Sequence, residues 1–265
     1  MITVNELFSG IGAFRKALQR LGIEHKVVGI SEIDKWAIKS YEAMYGETYN
    51  YGDISKVEAL NYADLWTYGF PCQDLSTAGK QKGIVKGQTR SGLLFEVERL
   101  LQTAIDRGEA PKYLILENVK ALVGKKFMPD FERWIEFLTD KGYITYWQVL
   151  NAKDYGVPQH RERVFAVSIR SDIDRGFEFP DPRPRRFSFY DALEQDVEEK
   201  YYLSDKTVEG YEMRSKFNHD KGNGFSFNPI DRQTDRQTDR QTDRQTARTI
   251  TTRAGGRMTD CFVRE

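Results

Sequence analysis

Ile2-Thr3-Val4-Asn5-Glu6-Leu7-Phe8 runs straight into Ser9-Gly10-Ile11-Gly12, and this junction decides the fold. The first stretch reads as a strand. The glycines permit a tight turn, and Phe14, Ala17, Leu18 and Leu21 then recur at helical spacing until Gly22 ends the helix. Working outward, the same alternation repeats. Further strands are expected over Val27 to Ser31, Asp64 to Tyr68, Tyr113 to Leu116, Ile144 to Leu150 and Arg163 to Ile169. Helices are expected over Trp36 to Met44, Leu93 to Ile105 and Phe127 to Lys141. Strands alternating with helices of this length predict an α/β fold: a Rossmann-like, mostly parallel sheet with helices on both faces. Ligands in such sheets bind at the carboxyl ends of the strands.

The 265 residues suffice for one large domain and a smaller one. The texture changes near Phe179-Pro180-Asp181-Pro182-Arg183-Pro184, which reads as a linker. The expected division is therefore 1–178 and 179–265. The second region is polar and shows little periodicity. Within it, residues 231–246 are four identical copies of Asp-Arg-Gln-Thr. Lacking any apolar residue, they cannot bury a core and read as a loop or a short polar helix. Their Arg and Gln side chains also suit contact with nucleic-acid phosphates or base edges. The repeated unit can be written GAC-AGA-CAG-ACA, which is GACA three times over. A coding tract so built is prone to slippage and would switch expression by frameshift. Mixed synonymous codons across the tract would exclude this.

Composition narrows the function. No window approaches 18 apolar residues, so no membrane partner is expected. No secretory signal opens the chain, and a cytoplasmic location is expected. Two distant cysteines, Cys72 and Cys261, make neither a disulfide framework nor a metal cluster, and no metal is expected. Formal net charge is zero, which disfavours a sequence-blind nucleic-acid coat but not a local basic cleft. Lys80, Lys82, Lys86 and Arg90 form one basic run, and Arg183, Arg185 and Arg186 another; either also fits a solvated loop.

Chemistry-bearing residues gather at the strand ends. Phe8, Gly10, Ile11 and Gly12 form the first turn, compatible with ligand approach or with an ordinary strand–helix turn. Glu32 after the second strand suits a ribose, and Asp53 in a third loop suits an adenine amino group. Cys72 follows Gly69-Phe70-Pro71 at a strand-end turn, outside the apolar run where a core cysteine would sit. A thiolate there is a nucleophile. Glu117 ends the fourth strand, and could hold a proton for a ring nitrogen. Arg161 and Arg163 alternate at the start of the sixth strand, so they are expected to share a face and offer a fork to a carbonyl or carboxylate. His160 is expected to face away.

These segments, in this order, resemble the S-adenosylmethionine-dependent DNA (cytosine-5)-methyltransferases. The matching stretches are Phe8 to Gly12, Ser31-Glu32-Ile33-Asp34, Gly52-Asp53-Ile54, Gly69-Phe70-Pro71-Cys72-Gln73 with Ser76 and Gly79, Arg90 to Phe95, Glu117-Asn118-Val119, and Gln159 to Arg163. The resemblance implies that Phe8, Gly10, Ile11, Gly12, Glu32, Ile33, Asp53, Ile54 and Pro71 line the S-adenosylmethionine pocket. It makes Cys72 the nucleophile at C6 of a flipped-out cytosine, with Glu117, Arg161 and Arg163 as its catalytic partners. Gln73, Ser76, Gly79, Arg90, Asn118 and Gln159 would meet the double-stranded DNA substrate, and the loop from Ser76 to Arg90 would close over it. By the same resemblance, 179–265 is an incomplete target-recognition domain. Thr249 to Gly256 matches the segment that follows target recognition, but the family's later motifs are missing. A second polypeptide supplying them is one expectation; a catalytically impaired DNA-binding relative is another. A tRNA cytosine-5 methyltransferase is a third alternative to the leading reading, an enzyme of a restriction–modification system, phage or mobile element.

Overall fold

The computed structural model describes residues 1–71, 90–184, 191, 198–199, 202–221, 227, 230–231, 247–248 and 263–264. The chain divides into two compact units. The first is Met1–Leu150 with Glu162–Pro180; the second is Asn151–Arg161 with Asp181–Glu265.

The first unit holds the sheet. Its strands are β1 (Ile2–Leu7), β2 (His25–Ser31), β3 (Leu65–Tyr68), β4 (Tyr113–Val119), β5 (Tyr143–Asn151) and, after a two-residue β6 (Gln159–His160) of the other unit, β7 (Glu162–Arg170). The spatial order is β2-β1-β3-β4-β7-β5. The pairs β1–β2, β1–β3 and β3–β4 are parallel, and β7 runs antiparallel to β4. Each of the six expected strands is present in this sheet. β1 stops one residue early because Phe8 leaves extended geometry at φ 55°.

The helices are α1 (Ala13–Arg20), α2 (Lys35–Tyr45), α3 (Leu94–Asp106) and α4 (Met128–Asp140). α3 buries Leu94, Val97, Leu100, Leu101 and Ala104, one stripe at helical spacing. α4 opens with Pro129 in its first turn and buries Phe131, Trp134 and Leu138. All four residues of β3 are buried, as a central strand covered on both faces requires. Trp134 meets it directly: its indole N–H donates to the Tyr68 hydroxyl at 3.1 Å while its ring stacks on Phe137. Truncating such a residue to alanine costs about 3–5 kcal/mol.

Strand order locates the functional edge. The chain steps from β1 outward to β2, then returns to place β3 on the other side of β1. Connections diverge at β1 and β3, so a crevice opens at their carboxyl ends. The turns after β1 and β3 border it.

In the second unit, β6 pairs in parallel with β9 (Ala247–Arg248), and β8 (Ile230–Asp231) with β10 (Val263–Arg264). It also holds α5 (Asp205–Asp220), capped by the Ser204 side chain on the Thr207 N–H. This helix went unread in the sequence because it buries no residue and carries almost no apolar stripe. The Asp-Arg-Gln-Thr copies beyond Asp231 lie outside the described residues. No helix among the described residues is long and apolar enough to cross a membrane.

Candidate active site

The turn after β1 departs sharply from ordinary backbone geometry. Phe8, Gly10 and Gly12 have φ of 55°, 55° and 80°. Left-handed geometry is costless for glycine but strained for phenylalanine, and Phe8 is the only non-glycine with positive φ among the described residues. The turn is held by Glu32 at the end of β2. One Glu32 carboxylate oxygen accepts the Gly10 N–H at 2.8 Å; the other accepts the N–H groups of Ile33 and Asp34 at 2.8 Å each. Ile33 projects beside it, 74% exposed, and Ile11 is also exposed. The Ser9 hydroxyl is buried without a hydrogen-bond partner. Apolar side chains held in water in two loops joined through Glu32, with an orphaned buried hydroxyl in one of them, mark a place built to meet a ligand. An adenosine-bearing methyl donor fits: apolar surface for the base, the remaining acceptor site on Glu32 Oε2 for a ribose hydroxyl, and polar main chain for its amino-acid end.

Asp53 caps the short turn Ile54–Lys56. Its side chain accepts from the Ser55 N–H and hydroxyl, bonds that hold its pKa below the usual carboxylate value. Ile54 is 3% exposed and part of the core, so its side chain supports the loop from within.

The second half of the site grows from β3, β4 and β7. Register sets Tyr68 beside Leu116, which brings the Gly69 turn against Glu117. A Cβ on Gly69 would lie 3.1 Å from the Glu117 carbonyl oxygen and 3.6 Å from its Oε2, so glycine is what lets the turn come this close. Asn118 is buried; its side-chain amide donates to the Phe70 carbonyl at 3.1 Å while its Oδ1 accepts the Val119 N–H. Asn118, expected to meet DNA, thus anchors the turn that leads through Pro71 to Cys72. Because β7 is antiparallel, its first residues return to the same edge, with Arg163 opposite Val119. Arg163 Nε lies 3.1 Å from Glu117 Oε1, and its Nη1 donates to the Glu162 carbonyl at 2.7 Å.

The expected sharing of a face by Arg161 and Arg163 needed one continuous strand. The strand instead breaks at Arg161, between β6 and β7. There the Arg161 N–H donates to Asn151 Oδ1, and the Arg161 carbonyl accepts from Ala152, closing a turn. Arg161 and Gln159 belong to the second unit, Arg163 to the first. Gln159 pairs with Ala247 in the two-stranded sheet. His160 is exposed. Cys72, Gln73, Ser76 and Gly79 lie outside the described residues. Arg90 begins a short 3-10 turn, Arg90–Leu93, of which only its backbone is described. No group of acidic, histidine or cysteine side chains suited to a metal occurs among the described residues.

A buried cluster beneath the β1 turn was not singled out in the sequence. Glu6, 1% exposed, accepts the Arg15 N–H at 3.0 Å and the Tyr41 hydroxyl. Burial pushes the Glu6 pKa up, partly offset by Tyr41 and Arg15. Burial and the adjacent Glu6 charge push the Tyr41 hydroxyl up in turn. The available signal was a glutamate inside a strand whose neighbours Val4 and Leu7 are core residues.

A family model described as C-5 cytosine-specific DNA methylase matches residues 2–261. The type II methyltransferase M2.ScrFI of Lactococcus lactis subsp. cremoris is 34% identical over 264 residues, covering 78% of this chain and 72% of that protein. The type II methyltransferase M.NlaX of Neisseria lactamica is 36% identical over 237 residues, covering 88% and 73%. Among solved structures, the S. pombe Dnmt2 methyltransferase superposes with a TM-score of 0.68 at 18% identity, covering 95% of this chain and 71% of that one, which establishes the shared fold.

Proposed function

This chain belongs to the C-5 cytosine-specific DNA methylases, and from that premise we propose which of its residues carry the reaction. The activity is S-adenosylmethionine-dependent methylation at C5 of a flipped-out cytosine in DNA, in a restriction–modification or phage setting. When bound, S-adenosylmethionine supplies an electrophilic methyl group. The Phe8–Gly12 turn, Glu32, Ile33 and Asp53 hold it, with Ser9 as a further polar contact.

C5 of cytosine is a weak nucleophile. Addition of the Cys72 thiolate at C6 pushes electron density to C5, provided the ring nitrogen N3 is protonated or hydrogen-bonded. Glu117 supplies that proton or bond. Arg163 orients the Glu117 carboxylate and retains guanidinium donors for the cytosine O2. Once C5 carries the methyl, a general base removes its proton and the thiolate leaves from C6, restoring the aromatic ring. The base must leave the duplex for C6 to be reached. The observation that carries this assignment is the Glu117–Arg163 pair standing against the Gly69 turn, one end of which leads into Cys72.

The second unit, with Gln159, Arg161 and the Asp-Arg-Gln-Thr copies, reads the duplex; the large unit does the chemistry. Helix α1 buries none of its eight residues, and Ile11 and Leu21 beside it are 55% and 72% exposed. That uncovered face favours a further segment, from a second polypeptide, which would strengthen the donor pocket without being needed to form it. The location that goes with a restriction–modification or phage setting is the cytoplasm, where the DNA lies.

The test is transfer of labelled methyl from S-adenosylmethionine to duplex DNA, followed by mapping of 5-methylcytosine. Label on DNA at C5 is expected, and label on tRNA alone overturns the substrate assignment.

A further inference from the structure

Tyr45 sits under the turn after β1, the proposed seat of the methyl donor. Its hydroxyl donates to the Gly12 carbonyl at 2.8 Å. The same carbonyl accepts the Lys16 N–H at 3.0 Å, so it is also the first acceptor of α1. Gly12 has φ 80°, and a Cβ there would lie 2.6 Å from ring carbons of both Tyr41 and Tyr45. The two rings thus press on the turn from beneath, edge to face, with centroids 4.8 Å apart.

The rings are themselves fixed. The Arg15 guanidinium lies 4.7 Å from the Tyr45 centroid and 5.5 Å from that of Tyr41. Arg15 Nη1 donates to the Tyr41 hydroxyl at 3.2 Å and to Thr48 Oγ1 at 3.1 Å. The Tyr41 hydroxyl in turn donates to buried Glu6, which also takes the Arg15 N–H. Side chains from β1, α1 and α2 therefore hold the rings beneath the turn, and the Tyr45 hydroxyl carries that support to the Gly12 carbonyl. On its other side the turn is held by Glu32, through Gly10.

We propose that Tyr45 is a positioning residue for the methyl donor, its hydroxyl setting the Gly12 carbonyl and thereby the start of α1 that the donor meets. The inference rests on the reading of the β1 turn as the donor pocket. A purely structural role predicts something different. The Gly12 carbonyl keeps the Lys16 N–H when the hydroxyl is removed, so no buried acceptor is orphaned and the stability cost is small. What is lost is orientation, which binding reads directly.

The experiment compares two tyrosines that make the same kind of bond. Tyr143, far along the sheet, donates its hydroxyl to the Pro111 carbonyl at 2.7 Å and is 2% exposed. Tyr45→Phe and Tyr143→Phe are each made in the full chain. Binding of S-adenosylhomocysteine is measured by calorimetry, and the thermal midpoint alongside. Tyr45→Phe is expected to weaken binding by about fivefold, the range of one hydrogen bond, with a small drop in midpoint. Tyr143→Phe is expected to lower the midpoint at least as much and leave affinity within about twofold. Unchanged affinity in Tyr45→Phe, or equal losses in both variants, overturns the proposal while the donor pocket stands. No binding by the unaltered chain overturns the pocket assignment and this inference with it.

Discussion

The two ends of one sheet treat their polar residues in opposite ways. At the amino end, Asp64 accepts from the Thr3 N–H at 2.9 Å, the Thr3 hydroxyl at 2.8 Å, the Tyr62 hydroxyl at 3.1 Å and Lys112 Nζ at 2.9 Å. Thr3 returns the contact by accepting the Asp64 N–H. The Tyr143 hydroxyl is closed onto Pro111 beside it. Here polar groups satisfy one another and tie β1, β3 and β4 at their starts. At the carboxyl end, Ser9 Oγ is buried without a partner and Ile33 stands in water, while Glu117, paired with Arg163 at 3.1 Å, keeps 29% of its side chain exposed. The Asp64 group at the first end is complete within the protein; at the second the geometry is fixed while the Ser9 hydroxyl is left unbonded. That asymmetry separates residues that make the fold from residues that use it.

The sharpest break of this contrast is chemical. Cys72→Ser is expected to lower methyl transfer by more than about a thousandfold, because a hydroxyl lacks the thiolate's nucleophilicity. Donor binding should persist, since the β1 turn is untouched. Substantial transfer by Cys72→Ser, measured with labelled donor, would remove the thiol from the mechanism. Glu117→Gln comes next. It keeps shape and one acceptor but loses the proton-holding group, and a loss of about 100- to 1000-fold is expected in single-turnover transfer. Gly69→Ala should cost less, about tenfold, because its methyl group must move the Glu117 carbonyl by only tenths of an ångström. If Gly69→Ala matches wild type in transfer rate, the close approach of that turn to Glu117 has no bearing on the chemistry.

The amount legible from sequence follows the same division. The strands and helices of the large unit could be read because each buries a stripe or run. α3 shows Leu94, Val97, Leu101 at helical spacing, and β3 is apolar throughout. Glycine and proline marked the turns that shape the site. Four things could not be read. That β7 runs antiparallel, and so delivers Arg163 back to Glu117, depends on pairing across the sheet and leaves no local trace. The separation of Arg161 from Arg163 depends on Asn151, ten residues away, capping the Arg161 N–H. The Glu6 cluster draws residues from three elements, each unremarkable alone. α5 escaped for the converse reason: with no buried face, its only signals were Ser204 and an acidic first turn.

The smallest effects sharpen the comparison through pH, because one buried or half-buried carboxylate at each end titrates in the opposite sense. Lys112 and Thr3 hold the Asp64 pKa well below its usual 3.8. Its folded pKa is depressed, so its contribution is present above 3.8 and is lost as pH falls below that value. Asp64→Asn is expected to lower stability by about 2 kcal/mol at neutral pH and to flatten the acid limb of a denaturation series. Glu6 lies under the turn at the other end, and burial raises its pKa above the usual 4.5. Its contribution is full below 4.5 and declines as pH rises through the folded value. Glu6→Gln should therefore improve relative to wild type from pH 4.5 upward, while Asp64→Asn worsens over its own range. Urea denaturation of both variants from pH 3 to 8 checks the signs. Parallel curves would mean that the two ends hold their carboxylates in the same way, and the division between the completed and the incomplete end would lose its electrostatic support.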